Sequence, residues 1–125
     1  MNRSQNDADS QQALLEQLIV ALSRLARPAE GQIAYLETLG AEQSADELAL
    51  ELDDVAEGAL SVPGLLSEEQ QSLLRGLDRQ LAEMSGKEHE LWSQRALRTS
   101  PTWTQVRAAA RAVLSELHAE PTASR

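Results

Sequence analysis

The chain reads as an all-α, single-domain bundle of four long helices and one short helix, and three observations lead there. First, leucine occurs twenty-one times in 125 residues while phenylalanine and cysteine are absent and Tyr35, Trp92 and Trp103 are the only aromatics. Leucine and alanine favour helices, and β-branched residues are few. Second, apolar residues recur at three- and four-residue spacing, and no segment alternates with the two-residue period of a strand. Third, prolines, glycines and capping residues fall between the apolar stripes, where helices start and stop. The length suits one ordinary domain with one core, and 42% apolar residues exclude wholesale disorder.

Residues 1–9 are polar and read as a disordered leader to a helical domain spanning 10–119. A first helix over 12–27 follows an Asp9-x-x-Gln12 capping box, with Leu14, Leu15, Leu18, Ile19, Leu22 and Leu25 forming its stripe. Pro28 disfavours helical geometry at Arg27 and suits the first turn of a new helix, so a break separates the first helix from a short second one over 28–39. That helix carries Ile33, Leu36 and Leu39 and stops at Gly40, the expected C′ residue. Ser44-x-x-Glu47 opens a third helix over 45–58, with Leu48, Leu52, Val55 and Ala59 inward and Leu50 off the stripe.

Gly58 to Gly64 reads as a loop, and Ser67-x-x-Gln70 caps a fourth helix over 68–85 that ends near Gly86. Its stripe is Leu73, Leu74, Leu77, Leu81 and Met84, and Gly76 within it suggests close helix–helix approach. Between 86 and 100 the pattern supports one or two helical turns. Ser100-Pro101 is a cap followed by proline at N1, opening a last helix over 101–118 with Trp103, Val106, Ala110, Val113, Leu114 and Leu117. Residues 120–125, with Pro121, read as a disordered tail. The expected core comprises Leu18, Leu22, Leu36, Leu48, Leu52, Leu77, Leu81, Trp103, Val106 and Leu114, with Trp92 beside Trp103 to dock the last helix.

Charge is distributed unevenly. Between Arg27 and Arg75 there is no lysine or arginine but there are eleven carboxylates, whereas from Arg75 onward eight basic residues face six acidic ones. The formal charge of −9 is thus concentrated in the second quarter and middle of the chain. Such a field attracts a basic partner or a cation and repels nucleic acid and anionic membrane. The polar N-terminus has no apolar h-region, and no stretch approaches the ~18–20 apolar residues of a membrane span, so a cytoplasmic setting is expected.

Absence of cysteine removes disulfides, thiol catalysis and cysteine-ligated metals. No phosphate loop or nucleophile elbow is present. His89 and His118 share no ligand spacing, and His118 suits the dipole at a helix C-terminus. Arg107 and Arg111, one turn apart on the last helix, are too few for a basic patch and are expected to pair with carboxylates of neighbouring helices. No cofactor is expected.

The acidic third helix carries the functional expectation. Glu47, Glu51 and Asp54 share one helical face at i, i+4 and i+7. Glu51-x-x-Asp54 has the shape of half a magnesium site, and this half-motif is similar to one in the all-helical nucleoside triphosphate pyrophosphatases of the MazG type. In that family an upstream E-E-x-x-E supplies the remaining ligands; here Ser67-Glu68-Glu69 follows Glu51 and lacks the third acid. That likeness implies the alternative of a metal-dependent nucleotide phosphohydrolase, with Glu47 or Glu68 assisting and Arg75 or Arg79 meeting the phosphate.

More broadly, Ile33-Ala34-Tyr35-Leu36-x-x-Leu39-Gly40, the acidic run Asp46 to Asp54, and Leu91-Trp92 through Trp103-x-x-Val106-Arg107 resemble a group of small acidic all-helical proteins of actinobacterial type. The resemblance implies a bacterial helical domain and carries no activity. The favoured expectation is a non-enzymatic interaction module that uses Glu47, Glu51, Asp53, Asp54 and Glu57 to bind a basic protein, without metal or cofactor. An immunity- or antitoxin-like role fits that description.

Overall fold

A computed structural model describes residues 2–40, 45–85 and 89–123. Its described residues form α1 (Asn2–Ala26), α2 (Ala29–Leu39), α3 (Asp46–Ser61), α4 (Glu68–Ser85), a 3-10 turn (His89–Trp92), α5 (Gln94–Thr99) and α6 (Pro101–Ala123). The four long helices, α1, α3, α4 and α6, close a ring in which each packs on two others. Arg24 of α1 meets Glu51 of α3 while Leu14 lies against Gly58, so these two helices run antiparallel. The short α2 and α5 pack together at the end of the bundle where α1 stops and α6 starts. No helix among the described residues is long and apolar enough to cross a membrane.

Local chemistry explains most boundaries. The Ser67 box is formed in both directions: the Ser67 amide donates to Gln70 Oε1 at 2.8 Å, and the Gln70 amide to Ser67 Oγ at 3.1 Å. Pro28 precedes α2, and Gly40, with φ of 147°, ends it. Ser100 Oγ accepts from the Thr102 amide at 3.2 Å, with Pro101 opening α6. The Ser44 box and the Gly86 stop lie outside the described residues. Helix α1 starts at Asn2 instead of 12, since no glycine or proline interrupts it and propagation from a packed nucleus is inexpensive. Helix α6 likewise runs on to Ala123, past Pro121.

Two glycines exchange their expected roles. Helix α3 continues to Ser61, so Gly58 is helical, and a Cβ there would stand 3.3 Å from Leu14 Cδ1. The close approach expected at Gly76 therefore occurs at Gly58, between α1 and α3. Gly76 faces open space, with nothing within 4 Å of an added Cβ.

The core matches the expected stripes. Leu18, Leu22, Leu36, Leu48, Leu52, Leu77, Leu81, Trp103 and Val106 are buried, while Leu114 packs at the core's edge. Leu39, expected in the α2 stripe, is instead 42% exposed. The two indoles meet edge to face at 5.8 Å between centroids. Trp103 Nε1 donates to Leu91 O at 2.7 Å and Trp92 Nε1 to Met84 O at 3.3 Å, while Trp92 O accepts from the Ala45 amide at 2.8 Å. These bonds tie the ends of α3 and α4 to the start of α6, giving each indole its required polar partner.

Arg107 departs from expectation. It is buried, and its described hydrogen bonds go to Gln32 Oε1 (2.8 Å) and Thr104 Oγ1 (3.4 Å), not to a carboxylate. Its position explains this: α6 turns Arg107 toward the α1–α2 junction, where Gln32 Nε2 donates to Leu25 O at 2.9 Å and Arg24 O at 3.3 Å. Gln32 thereby covers carbonyls that the end of α1 leaves unpaired. Burial and the neighbouring Arg111 charge hold the Arg107 pKa below its usual value.

Candidate functional site

Helix α3 buries one stripe, Leu48, Leu52, Ala56 and Ala59, against α1 and α4, and its acids flank that stripe on both sides. On the side facing α1 and α2, Glu51 is held by two groups. Arg24 Nη1 donates to Glu51 Oε1 at 3.1 Å, and the Tyr35 hydroxyl donates to Glu51 Oε2. Arg24 also stacks over the Tyr35 ring, 4.2 Å from its centroid. Burial first, and the Glu51 carboxylate second, raise the Tyr35 pKa above its ordinary 10.0, so the phenol stays a donor. Three helices are joined here through one carboxylate.

On the side facing α4, Asp53 and Glu57 border a depression of about 350 Å³ shared with Ser61, Arg75 and Asp78. Burial, then the charge and hydrogen bonding of Asp53 and the charge of Glu57, raise the Asp78 pKa above its usual 3.8. Between the two flanks lies Leu50, 55% exposed. Its helical neighbours at i−4, i−3, i+3, i+4 and i+7 are Asp46, Glu47, Asp53, Asp54 and Glu57, so an apolar side chain sits within a ring of acids.

The structure thus places the expected partner-binding acids in three environments. Asp53, Asp54 and Glu57 are exposed, Glu47 is half-buried, and Glu51 is taken up by Arg24 and Tyr35.

No protein-family description, curated protein or solved structure matches this chain.

Its functional reading therefore rests on geometry alone. For the magnesium arrangement, Glu51 would have to release both oxygens from Arg24 and Tyr35. Among the described residues, no three His, Asp or Glu side chains converge to hold a metal ion. His118 is exposed on α6, and the His89 side chain lies outside the described residues.

A second feature was invisible in the sequence. Along the outer seam of α1 and α3 runs an open groove of about 650 Å³. It is lined by Ala13, Glu16, Gln17, Val20, Ala21 and Arg24 of α1 and by Glu51, Asp54 and Val55 of α3. Arg24 and Glu51 are bound to each other across it. In the sequence, the α1 residues involved look like an ordinary polar flank, and only the packing of α1 on α3 brings Glu16 and Asp54 into one groove.

Proposed function

We propose that the protein is a non-enzymatic interaction module in which the outer face of α3 binds a basic protein surface in a bacterial cytoplasm. The observation that carries this reading is Leu50, exposed at the centre of Asp46, Glu47, Asp53, Asp54 and Glu57 on a helix with no basic residue. An apolar anchor inside a charged rim is the usual anatomy of a binding patch. Covering Leu50 contributes about 1 kcal/mol by burial, and the surrounding field speeds encounter with a cationic surface while rejecting anionic ones. An immunity- or antitoxin-like protein covering a basic nuclease site has these requirements, and the actinobacterial resemblance is compatible with that setting.

The test uses three baits in extracts of the source organism: wild type, Leu50→Asp, and the triple variant Asp53→Lys, Asp54→Lys, Glu57→Lys. All four positions are exposed, so the variants should melt with the wild type. A basic protein retained by wild type and lost by both variants is expected. Identical captured sets would overturn the reading.

A further inference from the structure

We propose that the α1–α3 groove is a docking site for a cationic amphipathic helix of another protein, laid lengthwise along the seam. This goes beyond the interaction reading above: the groove shares Glu51 and Asp54 with that acidic face but does not include Leu50.

The groove has the dimensions of a helix. Its α1 wall runs from Ala13 to Arg24, with about two lining residues per turn, which at 1.5 Å per residue is about 16 Å or three turns. Two antiparallel helices leave such a seam on their outer side, and a third helix can settle into it at an axial distance of roughly 8–10 Å when the floor residues are small. Here the apolar lining is alanine and valine, and Val20 is 47% exposed. Leucine-sized side chains on the incoming helix, spaced i, i+3 and i+4, would cover it.

The lining specifies charge. Glu16 of α1 and Asp54 of α3 are exposed, and the one cation lining the groove, Arg24, is already bound to Glu51 and stacked on Tyr35. Lysines or arginines flanking the apolar stripe of the occupant would therefore meet carboxylates from both helices. A second copy of this chain fits poorly, because a net charge of −9 on each molecule opposes association.

The experiment titrates the isotopically labelled full chain with a synthetic lysine–leucine peptide about three to four turns long, its leucines on one helical face. A peptide of the same composition with the leucines permuted around the helix is the control. Amide shifts centred on Ala13, Val20 and Asp54 are expected, with weaker binding of the permuted peptide. Val20→Lys and, independently, Asp54→Lys should each weaken binding by about tenfold, while Ser72→Lys on the exposed face of α4 leaves it within about twofold. Both groove positions are exposed, and unchanged melting curves confirm the fold. Shifts centred on Leu50, or equal affinity for both peptides, would overturn the groove assignment while leaving the outer-face reading intact. Sedimentation showing a dimer of the free protein that Val20→Lys dissociates would overturn it in favour of a second copy.

Discussion

Replacing Gln32 by leucine removes one buried side chain that serves two elements at once. Gln32 has no exposed surface; its amide nitrogen donates to the carbonyls of Leu25 and Arg24, and its oxygen accepts from Arg107. Leucine has similar bulk, so the cost is polar and not steric. The Arg107 guanidinium loses its described buried acceptor, and a hydrogen bond to a charged group contributes about 1.5–3 kcal/mol. The Leu25 carbonyl, bound at 2.9 Å, becomes unsatisfied at about 1–3 kcal/mol more. A total near 3–5 kcal/mol is a large part of the roughly 5–15 kcal/mol that stabilises an ordinary domain, and lowers the melting midpoint by roughly 10–25 °C.

Urea unfolding followed by tryptophan fluorescence and by circular dichroism measures this loss. The companion variant Gln32→Leu with Arg107→Met removes both partners, and replacing a buried polar pair by apolar groups of matching shape is often close to neutral. The double variant should therefore recover the share that comes from the unpaired Arg107, about 1.5–3 kcal/mol, and retain the cost of the unsatisfied Leu25 carbonyl. A loss below about 1 kcal/mol for Gln32→Leu, or a double variant as unstable as the sum of the singles, would refute the reasoning.

Three further outcomes are expected. Leu77→Ala, which empties a buried site on α4, should cost about 2–5 kcal/mol in chemical denaturation. Gly76→Ala should stabilise by about 0.5–1 kcal/mol, since its Cβ meets nothing and the helix gains propensity. Asp78→Asn should raise the melting temperature at neutral pH: the folded-state pKa lies above the ordinary 3.8, so the ionised form is penalised above the folded pKa and the penalty disappears below the unfolded one. The advantage of the asparagine variant should accordingly vanish as thermal scans descend through that interval.

The all-helical class, the stripe residues, the Ser67 cap and the pairing of Trp92 with Trp103 were legible because each depends on local periodicity or on a residue type with one dominant use. Helix lengths were less so: glycine at 58 reads as a loop signal, and only the approach of Leu14 from α1 shows why a helix would tolerate it there. Gly76 misleads in the opposite direction, being a glycine with no packing reason. At the candidate site, sequence showed that α3 is acidic and that Leu50 departs from its stripe. It did not show that Arg24 and Tyr35, on two other helices, converge on Glu51, because i+4 arithmetic says nothing about partners from distant segments. The same limit hid Gln32, a neutral residue whose importance depends on Arg107 arriving from 75 positions away.

The distribution of carboxylates bears on why the acids are there at all. A chain shaped for stability alone would place a base at position 78, where Asp53 and Glu57 already border the same depression. Instead a third carboxylate occupies it beside Arg75, and burial first, then Asp53 and Glu57, raise its pKa. Glu51, by contrast, shows that this fold can neutralise an acid when a neighbouring helix supplies an arginine. Helix α3 itself carries no basic residue from Asp46 to Ser61. Like charges at i, i+4 weaken a helix by a few tenths of a kcal/mol each, so this arrangement is tolerated against a small but repeated cost. A solvated surface needs charge of either sign to remain soluble; charge of one sign around a single exposed leucine is what a surface needs to select a cationic partner.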